Sequence, residues 1–206
     1  MGNFKLAHRK TPDAKRAEME AVAAKKLAPS IPRKNVLRYS IVRQLISGVL
    51  GDHTYGPFKA PSGSGQDGIS IKAVDYSSWN PAKQTDKEKK QRGGVIVPGW
   101  WIVVPEKIAR GKHSSQTAWG AAPTQNSLRV LPYLLAEGYA DSIRNSFYIH
   151  GIGGHGSDGC ILLPANHRQV LADLVCANGG AWLHAYLSGV ELNEVVERND
   201  RFSSTA

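Results

Sequence analysis

One segment of this chain, FYIHGIGGHGSDGCILLP, carries the residues best suited to chemistry. It spans residues 147–164 and holds His150, His155 and Cys160 among five glycines. Apolar residues typical of strands enter and leave the segment, so two pieces of core flank a glycine-rich loop. Such a loop is either a plain connection or a place where the backbone must pass close to a ligand.

A cysteine nucleophile needs a nearby base, donors for an oxyanion and access for its substrate. His150 is predicted to end one strand and Cys160 to begin the next, so pairing of the two strands would bring imidazole and thiol together. An imidazolium beside the thiol favours the reactive thiolate. Because Gly159 has no Cβ, a substrate carbonyl can approach the backbone N–H groups of Gly159 and Cys160, which are the expected oxyanion donors.

A zinc site is the competing interpretation of the same residues. His150, His155 and Cys160, with His167 as a fourth ligand, have suitable ligand chemistry. Structural zinc sites usually have closer paired spacing than these gaps, and this argues against a metal. No metal is therefore predicted, and the cysteine chemistry requires no cofactor. A purely structural connection remains the third interpretation.

The chain as a whole is basic, and its charge is concentrated near the N-terminus. Its 206 residues have a formal net charge of +9, and residues 1–43 contain eleven Lys or Arg against three Asp or Glu. A basic arm can bind nucleic acid, but this one has few aromatic residues and no nucleic-acid motif. A solvated or docking arm is the preferred interpretation. No apolar run is long enough to span a membrane, and the first residues lack the apolar stretch of a secretory signal.

Hydrophobic patterning predicts an α+β chain, mostly strands with one or two helices. Residues 12–28 favour a weakly amphipathic helix that ends before Pro29 and Pro32. Residues 36–52 predict a strand, a tight turn at Ser47-Gly48 and a return strand.

The second half of the chain supplies further strands and the clearest helix. Residues 95–105 predict a strand interrupted at Pro98-Gly99, in which Trp100 and Trp101 face opposite sides; Trp101 is assigned to the core and Trp100 to a cleft. Residues 127–138 predict a strand with an irregular end, although a short helix is also permitted. The pattern of residues 163–180 predicts a helix.

That helix is expected to be capped by Asn166 and to bury an apolar stripe from Val170 to Val175. Cys176 falls in the same pattern and is predicted to pack as a small buried residue. Two cysteines are too few for a disulfide framework.

The segment HGIGGHGSDGCI resembles the signature of YkuD-type L,D-transpeptidases, in which a histidine precedes a Ser/Thr-x-Gly-Cys segment on neighbouring strands. The matching residues are His150, Ser157, Gly159 and Cys160. The gap between His and Cys is shorter than in the housekeeping members, and Asp158 stands where those members usually have a second histidine. Both departures are similar to a compact branch, the L,D-transpeptidase effectors of type VI secretion.

Two other segments are similar to that branch. GGVIVPGWWIV (93–103) resembles its Gly-Pro-Ile-Pro-x-Gly-x-Tyr-x-Ile strand, and SGVLGD followed by FKAPSGSGQ (58–66) resembles its early hairpin and Ser-Gly loop. The resemblance implies an L,D-transpeptidase-like β-sandwich or sheet as the catalytic domain over residues 36–206. A flexible basic arm over residues 1–35 would precede it and serve export or docking.

The substrate that the resemblance implies is the peptidoglycan tetrapeptide stem ending in meso-diaminopimelate and D-Ala. Cys160 would attack the carbonyl of the third residue, and His150 would take the thiol proton and return it to the departing D-Ala. The thioester would then pass to water, to a free D-amino acid or to another stem. A backbone carbonyl of the glycine loop is expected to orient His150.

Several other residues are candidate site residues. Ser157 is expected to make hydrogen bonds within the loop, and His155, Trp100 and Asp158 are candidate substrate contacts. The resemblance also implies a protein secreted without an ordinary signal peptide that acts in the periplasm of a target bacterium. Its implied partners are a cognate immunity protein and a secretion-system adaptor, with neither nucleic acid nor membrane insertion. A phage-type peptidoglycan lysin and a non-catalytic wall-binding module are the alternatives.

Overall fold

The computed structural model describes residues 12–63, 95–105, 128–136, 147–151, 157 and 159–186. These residues form eight strands and two α-helices, which confirms the prediction of an α+β chain that is mostly β. In chain order the elements are α1 (Pro12–Leu27), a 3-10 turn (Ala28–Ser30), β1 (Val36–Ser40), β2 (Leu45–Leu50), β3 (His53–Lys59), β4 (Gly99–Pro105), β5 (Leu128–Leu135), β6 (Phe147–His150), β7 (Ile161–Leu162), α2 (Ala165–Ala177) and β8 (Ala181–Tyr186).

The eight strands lie in one sheet in the order β3-β2-β1-β8-β4-β5-β6-β7. The last strand in sequence, β8, is central: it runs parallel to β1 and antiparallel to β4. Asn35 fixes the start of this arrangement, because its amide nitrogen donates to the carbonyls of Asn178 and Gly180. Its amide oxygen accepts from the Gly51 N–H at 2.9 Å, which ties the β2–β3 turn to the same point.

The turn expected at Ser47-Gly48 is wrong, because both residues lie within β2. The chain turns instead between Ser40 and Leu45. A Cβ at Gly48 would collide with the Val36 carbonyl oxygen and lie 2.8 Å from the Leu37 Cα. Glycine at this position therefore allows β1 and β2 to approach closely and does not form a turn.

The sheet curls until the chain that follows β3 meets β7. Ser62 and Ile161 form an antiparallel bridge, and the Leu162 N–H donates to the Pro61 carbonyl at 2.8 Å. We call this junction the seam, meaning residues 60–63 against residues 157–162. The main core lies on the concave side of the curl, and its fully buried members include Leu37, Trp101, Ile149, Ile161, Leu171, Val175 and Leu183.

Helix α2 contributes Leu171 and Val175 to that core. It begins at Ala165 with Pro164 in the N-cap position and no side-chain capping bond, so the expected Asn166 cap is wrong. Proline has its φ fixed near the helical value and opens the helix without a side-chain bond. Cys176 is exposed rather than buried, because it follows the core-facing Val175 and a helix turns about 100° per residue.

Helix α1 packs on the convex side of the sheet, against β5. Ala24, Ala28 and Ile31 form a second buried cluster with Ile102 and Leu131. The described part of the predicted flexible arm is therefore a helix and a turn docked on the sheet. Alanines on its buried face give little amphipathic contrast, yet their small side chains let the helix approach closely.

The docked helix is further held by a partly buried ion pair. Glu20 is 3 % exposed and its carboxylate lies 3.2 Å from the Arg129 guanidinium on β5. Lys25 and Lys26 occupy the last turn of α1, where cations are favourable to the helix dipole. Neither helix of the described residues is long and apolar enough to cross a membrane.

Candidate active site

His150 is the last residue of β6, and its strand position directs its side chain away from the main core. Phe147 and Ile149 are core residues, so by alternation Tyr148 and His150 face the convex side. The His150 Nδ1 lies 2.8 Å from the Gly151 carbonyl oxygen. A carbonyl only accepts, so Nδ1 carries the proton in the neutral ring and Nε2 keeps the lone pair that a general base uses. This backbone acceptor was predicted from the sequence and is confirmed.

Cys160 lies directly before β7 and is buried. Its Sγ accepts a hydrogen bond from the Tyr148 N–H at 3.3 Å. A backbone donor of this kind favours a negatively charged sulfur.

Strands β6 and β7 pair as expected, but they run parallel. The loop between them is therefore not a hairpin connection. The register sets His150 opposite Leu162 and Ile149 opposite Ile161, so Cys160 falls opposite Tyr148. The simple expectation that pairing would place the thiol directly beside His150 is thus wrong, because a parallel connection must return along the strand before it enters β7.

Thiol and imidazole nevertheless belong to the same side of this strand pair. Ile161 is a core residue, so alternation directs Cys160 to the side on which His150 lies. Their Cα atoms are offset by two residues, or roughly 7 Å along the strand. Aromatic side chains reach diagonal neighbours at such offsets.

Two buried serines fasten the cysteine segment across the seam. The Ser157 hydroxyl donates to the Cys160 carbonyl at 2.6 Å and accepts from the N–H groups of Gly63 at 3.1 Å and Gly159 at 3.3 Å. One donor and two acceptor sites are all that a hydroxyl has, so these bonds use its full capacity. This is the local hydrogen-bonding role expected for Ser157.

Ser62 is the second serine of the pair, and no chemical role was predicted for it. It is fully buried, and its hydroxyl donates to the Gly159 carbonyl at 2.9 Å and accepts from the Ile96 N–H at 3.0 Å. We call Ser62 and Ser157 together the serine clasp. Through it, the Ser-Gly loop after β3 and the segment before β4 both hold the residue next to Cys160.

Gly159 has a φ of +116°, which L side chains rarely adopt, so its identity is dictated by the backbone. Its N–H is one of the two donors expected for an oxyanion. In this state that N–H points to the Ser157 hydroxyl at 3.3 Å, a long bond.

The electrostatic setting of His150 keeps it neutral at physiological pH. Burial lowers the pKa of His150 to about 4, the hydrogen bond to the Gly151 carbonyl opposes this, and the positive charge of Arg168 adds to it. Arg168 itself is a buried residue of α2. It contacts the Cα side of Gly151: a Cβ built there would lie 2.5 Å from its Nη1. Sequence reasoning missed Arg168, because a charged residue in a helical pattern is ordinarily assigned to solvent.

The other candidate site residues fall elsewhere. Trp101 is in the core and donates from Nε1 to the Val97 carbonyl, whereas Trp100 is half-buried on the opposite side, as predicted. However, Trp100 packs near His184, with ring centroids 4.7 Å apart, and pairs with Leu134 at the end of β5 remote from β6. The structure therefore does not bring it to Cys160. Strand β6 pairs with β5 over Leu128–Val130, at the beginning of β5.

His155 and Asp158 lie outside the described residues. His167, considered as a zinc ligand, stacks on Phe58 with ring centroids 3.9 Å apart. Within the described residues no three His, Cys, Asp or Glu side chains are grouped so that they could hold a metal ion.

The arrangement supplies a thiol with a backbone donor, a neutral imidazole of defined tautomer, and backbone groups of Gly159 and Cys160 that the serine clasp holds by hydrogen bonds. Comparisons with protein-family models, curated proteins and solved structures find no match for this chain.

Proposed function

We propose that this protein is a cysteine acyltransferase of the L,D-transpeptidase type that acts on peptidoglycan tetrapeptide stems. The observation that carries the proposal is the β6–β7 pair, which sets the Cys160 thiol and the His150 imidazole on one side with the imidazole base at Nε2. The resemblance of residues 150–161 to the L,D-transpeptidase signature supplies the substrate class.

In the proposed reaction, His150 Nε2 takes the Cys160 proton as sulfur attacks the carbonyl carbon of the third stem residue. The carbonyl becomes a tetrahedral oxyanion, which backbone N–H groups at Gly159 and Cys160 stabilise. The intermediate collapses, the C–N bond to D-Ala breaks, and the imidazolium returns its proton to the departing amine. Water, the amine of a D-amino acid or the amine of another stem then attacks the thioester and regenerates the thiol.

The low pKa of His150 suits protonation of the departing amine better than deprotonation of the thiol. A buried imidazolium with a pKa of about 4 is a strong acid, so it readily protonates an amine leaving group. Thiol deprotonation is correspondingly harder, and the Tyr148 N–H at the sulfur offsets part of this difficulty by favouring the thiolate.

Mass spectrometry of tetrapeptide muropeptides incubated with the purified protein tests the proposal. The wild type should convert tetrapeptide to tripeptide, or exchange the terminal D-Ala for added D-Met. Cys160→Ala and His150→Gln should abolish both reactions, whereas Cys176→Ala should leave both unchanged because Cys176 is exposed at the end of α2. No turnover by a folded wild-type protein would overturn the enzyme assignment and favour the wall-binding module; cleavage of cross-links instead would favour a lysin.

We further propose that the protein is a type VI secretion effector that acts in the periplasm of a target bacterium and is neutralised by a cognate immunity protein. The docked α1 decides how export is tested. Removal of residues 1–35 would strip Ala24, Ala28 and Ile31 from the convex cluster and compromise the fold. Removal of residues 1–11 spares that cluster, so this variant should keep turnover while losing export; lost turnover with intact export would contradict an export role.

A further inference from the structure

Arg168 is a buried cation that the proposed chemistry does not yet use. Its side chain is 7 % exposed, although arginine is almost never this buried without a partner. Within the described part of the chain its Nε is buried and has no hydrogen-bond partner. The guanidinium remains charged at neutral pH, so it is a site for an anion that none of the described residues supplies.

The position of this charge is set by two elements. Arg168 lies in the first turns of α2, where its backbone N–H donates to the Pro164 carbonyl. Its Nη1 lies where a Cβ of residue 151 would be, at 2.5 Å, so the absence of a side chain at Gly151 gives it room. The carbonyl of the same Gly151 holds the His150 Nδ1 at 2.8 Å. One glycine thus separates the guanidinium from the imidazole.

The chemistry beside His150 identifies the anion. On the proposed function, on which this inference rests, His150 delivers a proton to the amine of the departing D-Ala. That amine is bonded to the Cα which carries the terminal carboxylate, so the carboxylate must lie next to the imidazole when the bond breaks. Arginine binds carboxylates in a planar, two-pronged geometry and discriminates them from neutral groups.

We propose that Arg168 binds the α-carboxylate of the D-amino acid on the leaving-group side of the scissile bond. The same subsite serves the terminal D-Ala of the donor stem and the D-amino acid that enters during exchange, because exchange reverses the departure. Arg168 thereby restricts the enzyme to stems that end in a free carboxylate at the fourth residue.

The electrostatics of the site agree with this assignment. In the free protein, the charge of Arg168 is one of the causes that lower the pKa of His150. A bound carboxylate neutralises that charge, so the imidazole becomes a better base when the correct substrate is present. Substrate recognition and thiol activation are then coupled through a single side chain.

The test compares a tetrapeptide that has a free terminal carboxylate with the same peptide ending in a carboxamide. A charge-assisted hydrogen bond in a buried site is worth about 10- to 100-fold in kcat/KM. The wild-type kcat/KM should be higher by about this factor for the carboxylate peptide than for the carboxamide peptide. Arg168→Gln should remove the difference by lowering turnover of the carboxylate peptide only. Arg168→Lys should recover part of it. In exchange assays D-Ala and D-alaninamide as acceptors should show the same pattern.

A binding measurement separates recognition from turnover. In calorimetry, the Cys160→Ala variant should bind the carboxylate tetrapeptide more tightly than the carboxamide tetrapeptide. The double variant with Cys160→Ala and Arg168→Gln should bind the two peptides equally. Arg43→Gln is the matched control, since Arg43 is an exposed arginine and its loss changes the net charge equally.

The outcomes distinguish this inference from the proposed function. A wild type that turns over tetrapeptide while Arg168→Gln keeps the wild-type preference overturns the carboxylate subsite alone. A folded wild type that neither turns over nor binds tetrapeptide overturns both. Among the described residues Arg168 Nε has no partner to lose, so Arg168→Gln should not lower the urea midpoint. A strongly destabilised Arg168→Gln would assign Arg168 a structural role and also overturn the inference.

Discussion

The serine clasp should carry a large share of the stability of the site, and Ser157→Ala measures it. The substitution removes one donated bond, to the Cys160 carbonyl at 2.6 Å, and the acceptor of the Gly63 and Gly159 N–H groups. A buried hydrogen bond contributes about 1 kcal/mol net, and each buried group left without its partner costs about 1–3 kcal/mol. The free energy of unfolding should fall by about 2–4 kcal/mol.

Because the lost bond positions the Cys160 carbonyl, turnover should fall as well as stability. Urea unfolding followed by circular dichroism gives the first quantity, and tripeptide formation in the muropeptide assay gives the second. Ser30→Ala is the matched control: its hydroxyl also donates to a backbone carbonyl, that of Leu27 at 2.7 Å, but in an exposed position. Its loss should remain within about 0.5 kcal/mol.

A double-mutant cycle with Ser62→Ala tests whether the two hydroxyls act together. Ser62 holds the Gly159 carbonyl and Ser157 holds the Gly159 N–H, so the two substitutions should be non-additive by about 0.5–3 kcal/mol. Ser157→Ala with unchanged urea midpoint and unchanged turnover would refute the reasoning. Strict additivity would refute the coupling alone.

Three other perturbations have expected outcomes. Burial lowers the pKa of both His150 and His184 to about 4, whereas a histidine in the unfolded chain has a pKa of about 6.5. Between pH 6.5 and 4 the unfolded chain therefore binds protons that the folded chain does not, and the free energy of unfolding should fall by up to about 3 kcal/mol per histidine. His184→Phe should make this fall smaller when it is measured by urea unfolding at each pH. Glu20→Gln should remove the buried carboxylate charge that lies 3.2 Å from the Arg129 guanidinium and lower the unfolding free energy by about 1–3 kcal/mol. Gly48→Ala should cost at least about 2 kcal/mol, because its Cβ collides with strand backbone.

The last two of these perturbations each have a matched control. Asp52→Asn breaks the exposed Lys34–Asp52 pair and should cost less than about 0.5 kcal/mol. A Cβ at Gly179 would have no atom within 4 Å, but the residue has a positive φ. Gly179→Ala therefore tests backbone strain without a collision and should lower the free energy of unfolding by about 1 kcal/mol. If a control substitution lowered the free energy of unfolding as much as the substitution it is paired with, the corresponding explanation would be wrong.

Local patterns in the sequence predicted most of the elements. The helix from residue 12 ends at Leu27 because proline follows at position 29, and the apolar runs at 99–105 and 147–150 are strands. Alternation also assigned Trp101 to the core correctly. Each of these inferences depends on neighbours within a few residues, which is the range over which period and propensity act.

The misses in topology and in strand contacts came from long-range structure. Nothing within residues 181–186 shows that β8 inserts between β1 and β4, and nothing in the glycine loop shows that β6 and β7 run parallel. Gly48 was assigned to a turn because its close approach to β1 is visible only once the strands are paired. The candidate site was found through Cys160 and His150, whereas the two groups that surround them from other elements, Ser62 and Arg168, required the fold.

The central position of β8 has a consequence for synthesis of the protein. Strands β1–β3 and β4–β7 are made before residues 181–186 leave the ribosome, so until then β1 and β4 are open sheet edges whose backbone groups invite pairing with other chains. The nascent chain is therefore a natural client for chaperones during this interval. Once β8 joins the two groups of strands, the seam on the far side can close and position Cys160, so the thiol becomes ordered only in a chain that has been translated at least through Tyr186.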